Sequence, residues 1–99
     1  ESKIIWNSNA DQVVAKINAL YPNPGSWFEL NGSRIKVLKA KVVNKSGNPG
    51  EIIDESFTIA CLKNSIQILE LKKEGKRSMK ASDFIKGNKL KVGNIINGT

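Results

Sequence analysis

Apolar positions along the chain follow two different rhythms. Between residues 10 and 20, Ala10, Val13, Val14, Ile17 and Leu20 recur at helical spacing and line one face. Asn9 stands where an N-cap belongs, Asp11 falls in the first turn, and Gln12 is placed to complete a capping box. Pro22 ends the helix and pushes Tyr21 toward an extended backbone. The segment Tyr21-Pro22-Asn23-Pro24-Gly25-Ser26-Trp27 then reads as a stiff connector, because Pro22 and Pro24 fix φ. Gly25 is free to take a conformation that a side chain would forbid.

Beyond the connector the rhythm is that of strands. Trp27–Leu30 predicts a short strand, and Asn31-Gly32 is a strong hairpin signal. Residues 33–44 predict a long strand whose apolar phase switches, from Ile35 and Val37 to Leu38, Ala40 and Val42. A β-bulge near Val37-Leu38 would cause that switch and bend the strand, as small closed barrels require. Residues 45–50 form a loop. Short strands are expected at residues 51–54 and 57–62, a tight turn at Lys63-Asn64, and a further strand at residues 65–71. That last strand shifts phase between Ile68 and Leu69. Lys72 to Arg77 form a charged turn centred on Gly75. Ser82 is expected to cap one helical turn, Asp83-Phe84-Ile85-Lys86, stopped by Gly87. Leu90-Lys91-Val92 reads as a last strand, broken by Gly93, with Ile95-Ile96 closing the core. The sum is a mainly β fold: an OB-like small β-barrel with an N-terminal amphipathic helix and a short helical turn near residues 82–87.

Length and composition narrow the class. Ninety-nine residues, 39% hydrophobic and 25% charged, suit one globular domain spanning residues 1–99. No apolar run is long enough to span a membrane, and no signal peptide is visible. The start at Glu1 reads as a piece cut from a longer chain. Cys61 is the only cysteine, which excludes an internal disulfide and a cysteine metal cluster and suits the reducing cytoplasm. Set in Phe57-Thr58-Ile59-Ala60-Cys61-Leu62, it is expected to be a small core residue. Histidine is absent, which removes the commonest general base, the usual triads and most transition-metal sites. Asp54 and Glu55 are neighbours near a strand end, where side chains alternate faces, and read as a solvated turn. The chain by itself carries no expected catalytic or metal-binding residue.

Charge supplies the strongest functional signal. The net charge is +7, from 16 Lys and Arg against 9 Asp and Glu. Arg34, Lys36, Lys39, Lys41 and Lys45 follow one another with no acid between them, and residues 63–91 are again strongly basic. A field concentrated in this way attracts polyanions. The competing reading is solubilising charge on a lysine-rich chain.

Several motifs, in order, resemble the C-terminal domain of the methionyl-tRNA formyltransferase family. Asn18-Ala19-Leu20-Tyr21-Pro22-Asn23-Pro24-Gly25-Ser26-Trp27 is similar to its helix end followed by a Pro-x-Pro-Gly-x-Trp connector. Ile35-Lys36-Val37-Leu38-Lys39-Ala40 is similar to its lysine within the first long strand, and Pro49-Gly50-Glu51-Ile52 follows. The last segments are Leu71-Lys72-Lys73-Glu74-Gly75-Lys76-Arg77-Ser78-Met79 and Asp83-Phe84-Ile85-Lys86-Gly87. Two departures concern surface contacts: Lys72 stands where the family often has glutamine, and Asn23 where it often has tryptophan.

The resemblance implies a parent enzyme that moves a formyl group from 10-formyltetrahydrofolate to the amino group of methionine on initiator tRNA. The folate site and the family's catalytic residues would lie in an N-terminal Rossmann-like domain, so none is carried onto this chain. The part resembled is an OB-like barrel that helps hold tRNA through its backbone. Expected partners are therefore initiator methionyl-tRNA and the chain's own catalytic domain, in a cytoplasmic monomer with no membrane contact. Phosphate gripping needs clustered Lys and Arg, and the candidates are Arg34, Lys36, Lys72, Lys73, Lys76, Arg77, Lys80 and Lys86. Of these, Lys36, Lys76 and Arg77 fall on family motifs, whereas the others rest on charge clustering. Trp27 is expected to pack the helix onto the barrel and Trp6 to anchor the incoming chain, with Met79 and Phe84 in the core, in preference to stacking on bases. The alternatives are the equivalent domain of a sugar-nucleotide or other formyl-folate enzyme, a free-standing OB-type RNA-binding protein, and a purely structural domain.

Overall fold

The computed structural model describes residues 2–96. Helix α1 runs Ala10–Leu20, with Ala10, Val13 and Ile17 buried and Val14 and Leu20 half-buried. Asn9 is its N-cap, and Gln12 Oε1 accepts from the Asn9 backbone N–H at 3.2 Å, so the expected capping box is present. Strands β2 (Ser26–Leu30) and β3 (Ser33–Val43) form an antiparallel hairpin. Asn31 and Gly32 both have positive φ, 51° and 82°. This is the left-handed pair that a two-residue turn needs to match the twist of its strands.

β3 pairs along its length with β6 (Ser65–Lys73), and the two phase switches meet in this ladder. The register passes from Val37 opposite Leu71 to Lys39 opposite Glu70, and then to Ala40 opposite Ile68. Leu38 is thus the extra residue of one strand and Leu69 that of the other. Each insertion flips the pleat so that Ile35, Val37 and Ala40 of β3, and Ile66, Ile68 and Leu71 of β6, all face the core.

The short strands β4 (Ile52–Asp54) and β5 (Thr58–Ala60) extend the sheet beyond β6. Asn64, at φ 62°, makes the β5–β6 turn. Two strands were not anticipated. β1 (Ser2–Lys3) lies parallel to β2, and β7 (Ser78–Lys80) folds back on β6. The sheet is therefore mixed and seven-stranded, in the order β1-β2-β3-β6-β5-β4, with β7 on the part of β6 that β5 leaves uncovered.

The strand path has two ends, so the expected closed barrel is not observed. The edge of β4 is capped by coil. Ile52 N–H donates to Asn94 O, Gly93 N–H to Ile52 O, and Ile96 N–H to Gly50 O. The strand expected at Leu90–Val92 does not form; the Lys91 carbonyl instead accepts from the Asn94 N–H in a turn. Gly50 has φ +89°, and a Cβ there would stand 2.7 Å from the Ile96 carbonyl oxygen, so only glycine lets the segment approach. Ile96 is buried as expected, whereas Ile95 points outward.

Helix α2 spans Ala81–Gly87, starting two residues earlier than expected, and its N-cap is Lys80, not Ser82. Entry from β7 sets that start, since Ala81 must face the core as the strand ends. The core joins both helices to one face of the sheet. An aromatic series runs through it. Trp6 meets Phe28 edge-on at 5.7 Å, Phe28 meets Phe57 at 6.1 Å, and Phe57 stacks on Phe84 at 5.7 Å. Trp6 and Phe84 thus hold the core positions expected of them, and Met79 packs at the core's edge. Asp54 is half-buried, which raises its carboxyl pKa. Bonds from Lys45, Thr58 and the Ser56 backbone outweigh that and hold it below the ordinary value. The Lys45 ion pair is 2.7 Å long.

Two outcomes check this core. Phe28→Ala removes the centre of the aromatic series and should cost about 3–5 kcal/mol in urea unfolding. Cys61 is buried, and that burial pushes its thiol from 9.0 up to about 11. The folded chain resists ionisation that the unfolded chain permits. The stabilisation is therefore complete below pH 9 and lost as pH rises toward 11. Stability should fall across that window by about 3 kcal/mol more in the native chain than in Cys61→Ala.

Candidate nucleic-acid interface

The core claims one face of the sheet, and period-two alternation sends the intervening residues to the other. One cross-strand row on this outer face joins five strands. Lys3 of β1 pairs with Trp27 of β2, Trp27 with Lys36 of β3, Lys36 with Lys72 of β6, and Lys72 with Ser78 of β7. Beside it, Arg34 pairs with Glu29, and the Glu74 N–H donates to the Arg34 carbonyl at 2.9 Å. Beyond the bulge, Lys39 pairs with Glu70 and Glu70 with Lys80.

Trp27 departs from its expected role. It is half-buried on the outer face, one residue out of phase with buried Ser26 and Phe28, and does not pack α1 onto the sheet. Its ring instead carries cations: the Arg34 guanidinium carbon lies 3.9 Å from the ring centroid and Lys3 Nζ 5.4 Å. Such contacts are worth roughly 0.5–2 kcal/mol each, depending on desolvation. They also keep the guanidinium close over a rigid surface.

Lys36 is held by the connector. Its Nζ donates to Asn23 Oδ1 at 3.2 Å, and its alkyl stem crosses Gly25 so closely that a Cβ there would lie 2.8 Å from Cε. Gly25 has φ +86°, and its N–H donates to Leu20 O at 3.0 Å, folding the connector back on the end of α1. Both X-Pro bonds of the connector, Tyr21-Pro22 and Asn23-Pro24, are cis. Trp27, Arg34, Lys36, Lys72, Glu74 and Gly75 together line an open cavity of about 300 Å³.

The predicted basic residues therefore separate into groups. Arg34, Lys36 and Lys72 converge on this cavity. Lys80 lies on the same face beside Glu70. Lys76 and Arg77 are exposed at the tip of the β6–β7 hairpin, where Gly75 turns the chain at φ +79°. Lys73 pairs with buried Ile35 and so starts from the opposite face, half-buried. Lys86 lies on α2, outside the ladders, with Asp83 at 3.7 Å. Lys3 and Lys39 complete the outer face without having been singled out. Lys39 carries a period-two signal once the bulge is placed, whereas Lys3 arrives through a long-range parallel pairing that leaves no local trace.

A second cavity of about 260 Å³ lies between α1 and the N-terminal segment, lined by Ile4, Ile5, Gln12 and Lys16 among others. Among the described residues, no group of three or more Cys, Asp or Glu side chains is placed to hold a metal ion. Among the described residues, too, no helix is long and apolar enough to cross a membrane.

Comparison with known proteins places the chain in a family. Residues 1–89 match the family described as "Formyl transferase, C-terminal domain", and the chain belongs to it. Among curated relatives, methionyl-tRNA formyltransferase of Bradyrhizobium diazoefficiens is 43% identical over 94% of this chain and 31% of its own length. Methionyl-tRNA formyltransferase of Pelagibacter ubique is 39% identical over 97% of this chain, again 31% of its own length. The chain thus spans under a third of these relatives. Among solved structures, a variant of HypX from Aquifex aeolicus has a similar fold, with a TM-score of 0.63 at 21% identity, covering 90% of this chain and 18% of that one.

The fit of Lys36 over Gly25 can be tested directly. Gly25→Ala forces a side chain into a left-handed backbone and into the lysine stem. It should cost about 1–2 kcal/mol in chemical denaturation, and a crystal structure should show Lys36 Nζ moved off Asn23.

Proposed function

We propose that this chain is the tRNA-binding C-terminal domain of a methionyl-tRNA formyltransferase, which acts in the cytoplasm as a monomer. The parent enzyme transfers a formyl group from 10-formyltetrahydrofolate to the amino group of methionine on initiator tRNA. The donor and the reacting groups belong to the portion of the enzyme outside these 99 residues. The observation that carries the proposal is the outer face of the sheet, where Lys3, Arg34, Lys36, Lys39, Lys72 and Lys80 project from four different strands around Trp27. A basic face of this kind can grip a nucleic-acid backbone without reading sequence. The names of the relatives support the choice of tRNA.

Binding of the chain to initiator and elongator tRNA across a salt series tests the proposal. Steeply salt-dependent and nearly equal affinities are expected. No binding at low salt would mean that the charges only solubilise the domain, and would favour a sugar-nucleotide formyltransferase as parent. Replacing Lys76 and Arg77 together with Ala should flatten the log–log salt slope by up to about 2. An unchanged slope would remove the hairpin tip from the interface.

A further inference from the structure

We propose that the cavity bounded by Trp27, Arg34, Lys36 and Lys72 is a preformed seat for a single phosphodiester group, and that Trp27 helps build it by holding the Arg34 guanidinium over its ring. The inference rests on the tRNA-binding reading and gives that face one defined contact. Three observations converge on it.

Lys36 and Lys72 are directly opposed on adjacent antiparallel strands and point to the same face. Opposed residues have Cα atoms roughly 4.5–5.5 Å apart, and like charges placed so destabilise a sheet. One anion between them reverses the sign of that interaction, and long side chains that start this close on one face can both reach oxygens of one phosphate. Lys36, moreover, is held in place. Its stem lies against Gly25 and its Nζ bonds Asn23 at 3.2 Å, so the connector opposes its swinging away from Lys72. Arg34 is held as well, with its guanidinium 3.9 Å above the Trp27 ring, and it brings a planar fork to the same cavity. The lining thus brings Arg34, Lys36 and Lys72 together beside Glu74. The same geometry removes Trp27 from base stacking on the face that Arg34 covers. Its part is that of a positioning residue.

Pairs of independent phosphate contacts and one shared contact predict different salt behaviour. The chain, Lys36→Met, Lys72→Met, the double variant, Trp27→Ala and Trp27→Phe would be compared for tRNA binding over a salt series. Inorganic phosphate would be titrated in parallel and followed by amide and Arg34 side-chain NMR shifts. Either lysine substitution alone should remove most of the effect, and the double variant should lower the log–log slope by about 1, one phosphate's worth. Trp27→Ala should weaken tRNA binding severalfold and abolish the phosphate-induced shift at the Arg34 side chain, and Trp27→Phe should restore much of both. Trp27 lies outside the core, so thermal unfolding should report an intact fold for both variants.

A double variant that lowers the slope by about 2 would mean two independent contacts and overturn the shared seat. An unchanged slope would overturn the seat altogether, while tRNA binding by the native chain would keep the broader reading standing. Absence of tRNA binding by the native chain at low salt would sink the broader reading. The phosphate titration would then judge the seat by itself, since shifts absent from Arg34, Lys36 and Lys72 overturn it.

Discussion

The structure depends on the pairing of β3 with β6. These are the two longest strands, and every other strand reaches the sheet through one of them. Leu38 and Leu69 enter this ladder as extra residues within a short distance of each other, so both strands change phase together. Had only one strand carried an insertion, the apolar residues beyond it would have faced opposite sides of the sheet. The paired insertions keep a single buried face along two strands and bend both where they cross the core.

That constraint also creates the basic face. Once Ile35, Val37 and Leu71 are committed to the core, Lys36 and Lys72 have nowhere to project except together on the other side. A monomeric sheet could satisfy its outer surface with alternating charge signs, as Lys39, Glu70 and Lys80 do a little further along. At the Lys36–Lys72 pair it does not. The stiff connector and the glycine beneath its stem hold Lys36 there, and the tryptophan lies beneath Arg34, so two like-charged side chains start opposite one another on this face. Such local cost is characteristic of binding surfaces, where the partner supplies the missing charge.

The membership of the family and the basic face speak to different levels. The family match identifies the domain, and the relatives' names indicate the reaction of longer proteins. The likeness to HypX, at 21% identity, concerns the fold alone, so the fold by itself does not specify the partner. The arrangement of lysines and arginine on the sheet is the feature of this particular chain that supports the proposal of a polyanionic partner.

Local chemistry in the sequence determined a great deal. Helical spacing and the Asn9–Gln12 box placed α1, Asn31-Gly32 placed the hairpin, and the phase switches located the bulge. The apolar setting of Cys61 marked it as buried. These are signals between residues a few positions apart, and they survive in any fold that uses them. The tertiary structure alone decided what distant segments do to one another. It added Ser2–Lys3 as a parallel edge strand, left the sheet open because residues 93–96 cap β4, and began α2 at Ala81 because β7 delivers the chain there. It turned Trp27 outward beneath Arg34, and it set Lys36 against Lys72, residues whose adjacency depends on a strand register that no local pattern encodes.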